Sequence, residues 1–248
     1  VPGLVLLASL ATRRWGSRIG GLLTGLPIVS APALFFFAVE QGNSFAAEAS
    51  RAVLVSLLAV AASTVAYAWA SLRTPWWMSL PLSWTSFFTV VLLVRGVAWP
   101  ATVALGAALA SIVLAQVMLP RAGTTAARPR PIWDLPVRAL AAMILVLTVT
   151  GLAHRLGPTL SGALTPFPVA ISVLLGFSHA QQGSSAAITF LRGFLPGMWS
   201  FAAFCFVLSV TIVAFGAAAA FVLATACALA IQGGVLAWMQ RSAGRPAT

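Results

Sequence analysis

Groups able to do acid–base, nucleophilic or metal chemistry are scarce in this chain and lie far apart. It holds three acidic residues, Glu40, Glu48 and Asp134, with two histidines and two cysteines. Cys205 and Cys227 sit in apolar runs with no CxxC pair and no histidine nearby, so they read as small buried hydrophobes. HExxH, GxSxG and clustered acids are all missing, and the expectation is a protein that is not an enzyme and carries no metal or cofactor. What stands out instead is two proline-broken stretches, Leu-Thr-Gly-Leu-Pro at 23–27 and Leu-Thr-Pro-Phe-Pro at 164–168. A proline in a helix removes a backbone donor and clashes with the preceding turn, which frees carbonyls near residues 23 and 164. Thr24, Pro27 and Ser30 in the first stretch, and Thr165, Pro168 and Ser172 in the second, are the candidate substrate-binding residues. The alternative is that each break only shapes packing.

The elements that carry these breaks follow from composition. Sixty per cent of residues are hydrophobic and 7% charged, against about 25% charged in a soluble domain. Mean hydropathy is +1.01. Apolar stretches of about 20 residues separated by short arginine-bearing links predict an all-α, polytopic transmembrane helix bundle. Nine spans are expected, over residues 1–12, 18–39, 50–72, 76–94, 98–119, 136–153, 159–180, 190–213 and 215–239. The Pro- and Arg-rich stretch 121–135 reads as a cytoplasmic linker between a first half, 1–120, and a second half, 136–248. Trp15, Trp76, Trp77, Trp99, Trp133 and Trp199 fall near the ends of predicted spans, as an interfacial belt would place them.

The net charge of +11 comes from fourteen basic residues scattered singly between apolar runs, which points to the lipid bilayer as partner and away from nucleic acid. With nine spans, one side receives Arg13, Arg14, Arg18, Arg73, Arg121, Arg128, Arg130, Arg138, Arg192, Arg241 and Arg245. The other side receives only Arg51, Arg95 and Arg155. Positive charge is retained inside, so the C-terminus is expected in the cytoplasm and residue 1 outside.

A shift of 141 positions aligns residues 16–51 with 157–192 without a gap. Twelve of the 36 pairs are identical, among them Thr24/Thr165, Pro27/Pro168, Gln41/Gln182, Gly42/Gly183, Ser44/Ser185 and Arg51/Arg192. Similarity between generic apolar helices accounts for Leu and Ala matches but not for this ordered polar series, so a duplication is inferred. By this offset the first span starts about five residues short of its counterpart, and the chain is expected to lack the start of that helix. Five spans separate the two copies, an odd number, which makes the repeat inverted in the membrane. Inverted repeats bring matching broken helices together near the midplane, where one site can be presented to either side. The two breaks are therefore expected to face each other.

A second polar set flanks each break. Glu40, Gln41, Gly42, Ser44, Glu48 and Arg51 follow the first; His179, Gln181, Gln182, Gly183, Ser185 and Arg192 follow the second. One reading is a pair of solvated links in which Gly ends a helix and Ser44 or Ser185 caps the next. The other is a pair of gates at opposite membrane faces, with Glu40, Gln41, Arg51, His179, Gln182 and Arg192 as the gating groups and the arginines drawing an anionic head group or solute.

Each half, over GLLTGLPIVSAPALFFFAVEQGNSFAAEASRA and SGALTPFPVAISVLLGFSHAQQGSSAAITFLRGFLPG, resembles the small GlpM-type bacterial inner-membrane proteins. The second half is the closer, through Pro168, Gly193 and Pro196. The resemblance covers roughly 40 residues per half and implies a four-helix unit in the bacterial inner membrane with a role in the cell envelope. Together these features predict a secondary transporter or flippase for a small solute or envelope lipid precursor. Two other readings stay open: a non-transporting accessory or scaffold subunit of an envelope or exopolysaccharide assembly, and an intramembrane lipid-modifying enzyme dependent on His179 or Glu40.

Overall fold

The computed structural model describes residues 2–28, 30–123, 134–156 and 167–243. All regular structure among them is helical. In chain order the helices are α1 (Pro2–Trp15), α2 (Ser17–Thr24), α3 (Ser30–Gln41), α4 (Asn43–Ala70), α5 (Trp76–Val94), α6 (Ala101–Met118), α7 (Asp134–Leu156) and α8 (Val169–Gln182). The continuous run Ser184–Ala243 is split by non-helical backbone at Gly216 into α9 (184–215) and α10 (217–243).

The chain reverses through single glycines. Gly16, Gly42, Gly183 and Gly216 have φ of 89°, 91°, 84° and 77°, with ψ between 165° and 177°. This corner of backbone space is essentially closed to residues with a Cβ. One residue thus ends a helix, turns and starts the next, which leaves α1 packed on α2, α3 on α4 and α8 on α9. Gly42 and Gly183 are 141 positions apart and share one conformation. They also cap directly, because α4 starts at Asn43 and α9 at Ser184. Ser44 and Ser185 therefore lie inside the first turns and are not the caps. Both helices begin six or seven residues ahead of their apolar windows, since Ser, Ala and Glu continue a helix without adding hydropathy.

Four helical runs of the described residues are long and apolar enough to cross a membrane: Asn43–Ala70, Trp76–Val94, Ala101–Met118 and Ser184–Arg241. The best apolar window of α4 is 61% buried, against 22% for α5 and for α6. α4 is the central post, in contact with α3, α5, α6 and the 184–243 run. The outer helices carry large apolar side chains outward, such as Leu93 at 74% exposure and Val117 at 78%. Apolar outward faces of this kind are compatible with a membrane protein. Trp199 sits in the middle of α9 rather than near a helix end, because α9 starts earlier than its hydropathy indicates.

Candidate functional site

The apolar stretch 18–39 is two helices with a break between them. α2 ends at Thr24, Gly25 caps it in αR conformation, and α3 restarts at Ser30. Pro27 is buried in the break, and its carbonyl accepts the Ala31 N–H at 2.8 Å, the first hydrogen bond of α3. Pro32 falls in the first turn of α3, where a helix has no use for the missing N–H. The Thr24 hydroxyl, buried, donates back to Gly20 O at 2.8 Å. Ser30, half-buried, opens α3.

The break is held from outside by groups not evident in the sequence. The Gln232 side chain on α10 donates from Nε2 to Leu22 O at 3.0 Å, and its Oε1 lies 2.9 Å from Ser200 Oγ on α9. Ser200 also reaches Gly197 O at 2.7 Å. Leu22 O also accepts the Gly25 N–H at 3.2 Å, so the side-chain amide from another helix is its second donor in an apolar interior. Gln232 is 8% exposed and lies near the middle of α10, as Ser200 does of α9. The only sequence signal is one polar residue in an apolar run.

α2 crosses α9 backbone to backbone. A Cβ on Gly197 would stand 2.5 Å from Leu22 O, and one on Gly25 would stand 2.7 Å from Gly197 Cα. A Cβ on Gly21 would meet Phe190 O, and one on Gly193 would overlap Arg18 O. Facing residues rise together in number, 18 with 193 and 25 with 197, so the helices run parallel. Pro196 leaves α9 short of a backbone donor at the same crossing. α2 thus ends, and α9 continues with one backbone donor fewer, where the two meet.

The second break is held by α5. Phe167 packs on Trp84, Phe87 and Phe88 with ring centroids 5.5, 5.8 and 5.6 Å apart. Ser172 Oγ donates to Pro168 O at 2.9 Å and accepts from Trp84 Nε1 at 3.0 Å. Thr165 lies outside the described residues. Among the described residues α2 packs on α1 and the 184–243 run, whereas α8 packs on α1, α5, α7 and the 184–243 run.

The two polar sets stand at opposite ends of α6, an 18-residue helix, and so about 27 Å apart. At the Leu119 end Arg192 donates to Leu119 O at 3.3 Å and Pro120 O at 3.0 Å, capping the carbonyl end of α6. Tyr67, fully buried on α4, meets His179 Nδ1 at 3.2 Å. Asp134, 0% exposed, accepts from Arg138 Nε at 2.8 Å, Arg13 at 3.1 Å and Gln181 Nε2 at 2.6 Å. Arg138 also reaches Gln181 Oε1 at 3.1 Å and lies over the Phe177 ring at 5.1 Å. This network joins α1, α7 and α8. Burial pushes the Asp134 carboxyl up, but hydrogen bonds from Arg138, Gln181 and Arg13 and the Arg138 charge outweigh it and hold the group below the ordinary carboxylate value.

The Pro100 end is open. A cleft of about 1150 Å³ lies there between α4 and the α5–α6 link, lined by Arg51, Glu48, Phe45, Val91, Arg95 and Trp99 among others. Arg51 and Arg95 have no ion pair or side-chain hydrogen bond with the described residues. Glu40 and Gln41 are exposed at the end of α3; Gln182 is half-buried at the end of α8. No group of histidine, cysteine and acidic side chains that could hold a metal ion occurs among the described residues.

Comparison of the chain with protein-family models, curated proteins and solved structures yields no match.

Proposed function

We propose that the protein is a multi-pass bacterial inner-membrane transporter or flippase that works by alternating access and moves a small solute or envelope lipid precursor. The observation that carries this reading is the mid-helix break at Gly25–Pro27, where Leu22 O, beside its Gly25 N–H, is held by an exchangeable side-chain latch, Gln232 with Ser200. Broken helices near the midplane are the usual moving parts of such proteins. A helix that served only to anchor would have no use for a break latched from another helix.

The inverted repeat belongs to the proposal. It is supported by the shared corner at Gly42 and Gly183, and by the way each break is held by helices of the other half: Leu22 O by α9 and α10, Phe167 by α5. The two ends also differ in state. The end bearing Arg192, Asp134 and His179 is clamped, and the end bearing Arg51 is open. With the C-terminus cytoplasmic, this is a conformation open to the outside. The resemblance to GlpM-type proteins points to the same cell-envelope setting.

The test follows distances at both ends in liposomes, on a background in which Cys205 and Cys227 are replaced by alanine. Spin labels at Ser44→Cys and Val97→Cys report the Arg51 end; labels at Leu72→Cys and Ala180→Cys report the His179 end. Two distance populations at each end, with Gln232→Leu shifting both in opposite senses, are expected. A single unchanging population at both ends, in wild type and variant alike, would overturn the transport reading and leave a scaffold.

A further inference from the structure

Only three arginines fall on the side predicted to face outward, Arg51, Arg95 and Arg155, against eleven on the other. Positive charge is selected against there. Two of those three nevertheless line one cleft, Arg51 two turns into α4 and Arg95 at the end of α5. Neither caps a carbonyl or pairs with an acid among the described residues, and Glu48, which also lines the cleft, is in ion-pair contact with neither. Arg192, which matches Arg51 in the repeat, is by contrast tied to Leu119 O and Pro120 O. Two cations in one cleft thus stand without a structural partner among the described residues.

The remaining lining is mostly apolar and includes Phe37, Phe45, Val91, Val94 and Trp99, of which Val91 is buried and Phe45 exposed. Trp side chains near the ends of membrane spans sit at head-group level in a bilayer. The cleft therefore offers two cations and an apolar wall. A free inorganic anion would use only the first, and a neutral lipid only the second.

We propose that the Arg51–Arg95 cleft binds an anionic lipid, its phosphate between the two guanidinium groups and its upper acyl chains along Phe37, Phe45 and Val91. This deepens the transport reading by naming the substrate class, and it rests on the orientation given there. Lipid at the cleft can be read without transport.

Native mass spectrometry of the purified full chain, titrated with phosphatidylglycerol and with phosphatidylcholine of the same acyl chains, tests it. Phosphatidylglycerol is expected to bind about 30-fold tighter, the combined effect of two arginines at an anionic surface. Arg51→Gln with Arg95→Gln should abolish that preference, and Arg51→Lys with Arg95→Lys should keep most of it. Arg73→Gln, an exposed arginine in the α4–α5 link, should leave it unchanged. Equal binding of the two lipids by the wild-type protein would overturn the proposal whether or not the variants fold. So would an equal loss with Arg73→Gln, or binding of chain-free glycerol phosphate as tight as the lipid's. Two spin-label populations without lipid preference would sink this inference and spare transport. A preference with one rigid population would do the reverse.

Discussion

Asp134 offers the sharpest test of how the clamped end is held. Its side chain is 1% exposed and that of Arg138 is 3%. Removing the carboxylate by Asp134→Ala strands the Arg138 cation in a desolvated pocket. Breaking a buried pair from one side typically costs about 3–5 kcal/mol. Arg138 would retain Gln181 Oε1 and the Phe177 face, and Arg13, at 28% side-chain exposure, can turn to solvent. The expected loss is therefore at the low end, about 3 kcal/mol. Replacing both partners, Asp134→Ala with Arg138→Met, leaves no buried charge unmatched, and such swaps are often near neutral. The double variant should thus be more stable than the sum of the single losses by at least about 2 kcal/mol.

Equilibrium unfolding in mixed micelles, followed by circular dichroism, measures each corner of that cycle. The pH dependence supplies an independent check. A carboxyl held below its ordinary value contributes stability that is complete above about pH 4 and is lost only as the pH falls through the lower folded value. The gap between wild type and Asp134→Ala should accordingly be constant from neutral pH down to the ordinary carboxylate range, then close. A single-variant loss below about 1 kcal/mol, strictly additive losses, or a gap that closes near neutral pH would refute the reasoning, since each contradicts a buried pair.

Gly197→Val places branched carbons where even a Cβ is 2.5 Å from Leu22 O; α2 must withdraw from α9, and at least about 2 kcal/mol should be lost in the same unfolding assay. Gln232→Leu removes two hydrogen bonds but strands little, because Leu22 O keeps the Gly25 N–H and Ser200 keeps Gly197 O. A loss of about 1 kcal/mol is expected, with faster amide exchange at residues 25 and 26 read by mass spectrometry. Tyr67→Phe deletes the hydroxyl facing His179 Nδ1, and about 1 kcal/mol should go, seen as a lower unfolding midpoint with no change in helix content.

Helical content and the position of the first break were legible from local sequence. Leu-Thr-Gly-Leu-Pro concentrates the helix-weakening residues of an apolar stretch at one place, and Pro32 three residues beyond Val29 fits only a restarted helix. Helix starts were less legible, because a hydropathy window cannot see Asn43 to Ser50 as helix. Least legible were the tertiary partners. Gln232 meets Leu22 across 210 residues and Arg13 meets Asp134 across 121. A window average dilutes one glutamine among its mostly apolar neighbours, and no local pattern tells which distant carbonyl it will meet. The close dock of Gly21 and Gly25 on α9 was equally hidden, because a glycine in an apolar run does not say which backbone it will meet.

The contrast between backbone docking and side-chain latching bears on which parts can move. Where Gly25 meets Gly197 the contact is made of main-chain atoms, which have one packing distance and no alternative rotamer. α2 and α9 are therefore expected to travel as one body. The Gln232 amide is different: it has rotamers, and Leu22 O keeps a partner, the Gly25 N–H, when the amide swings away. α3 is joined to α2 only through the break, and it contacts α10 through Phe35 and Phe221 at 5.5 Å. On the alternating-access reading, the element free to pivot is then α3 as far as the Gly42 corner, which carries Phe37 in the cleft wall opposite the fixed post α4 with Arg51. The hinge and the cleft are connected by one helix, 12 residues long, so a change at the latch is delivered directly to the end at which the cleft opens.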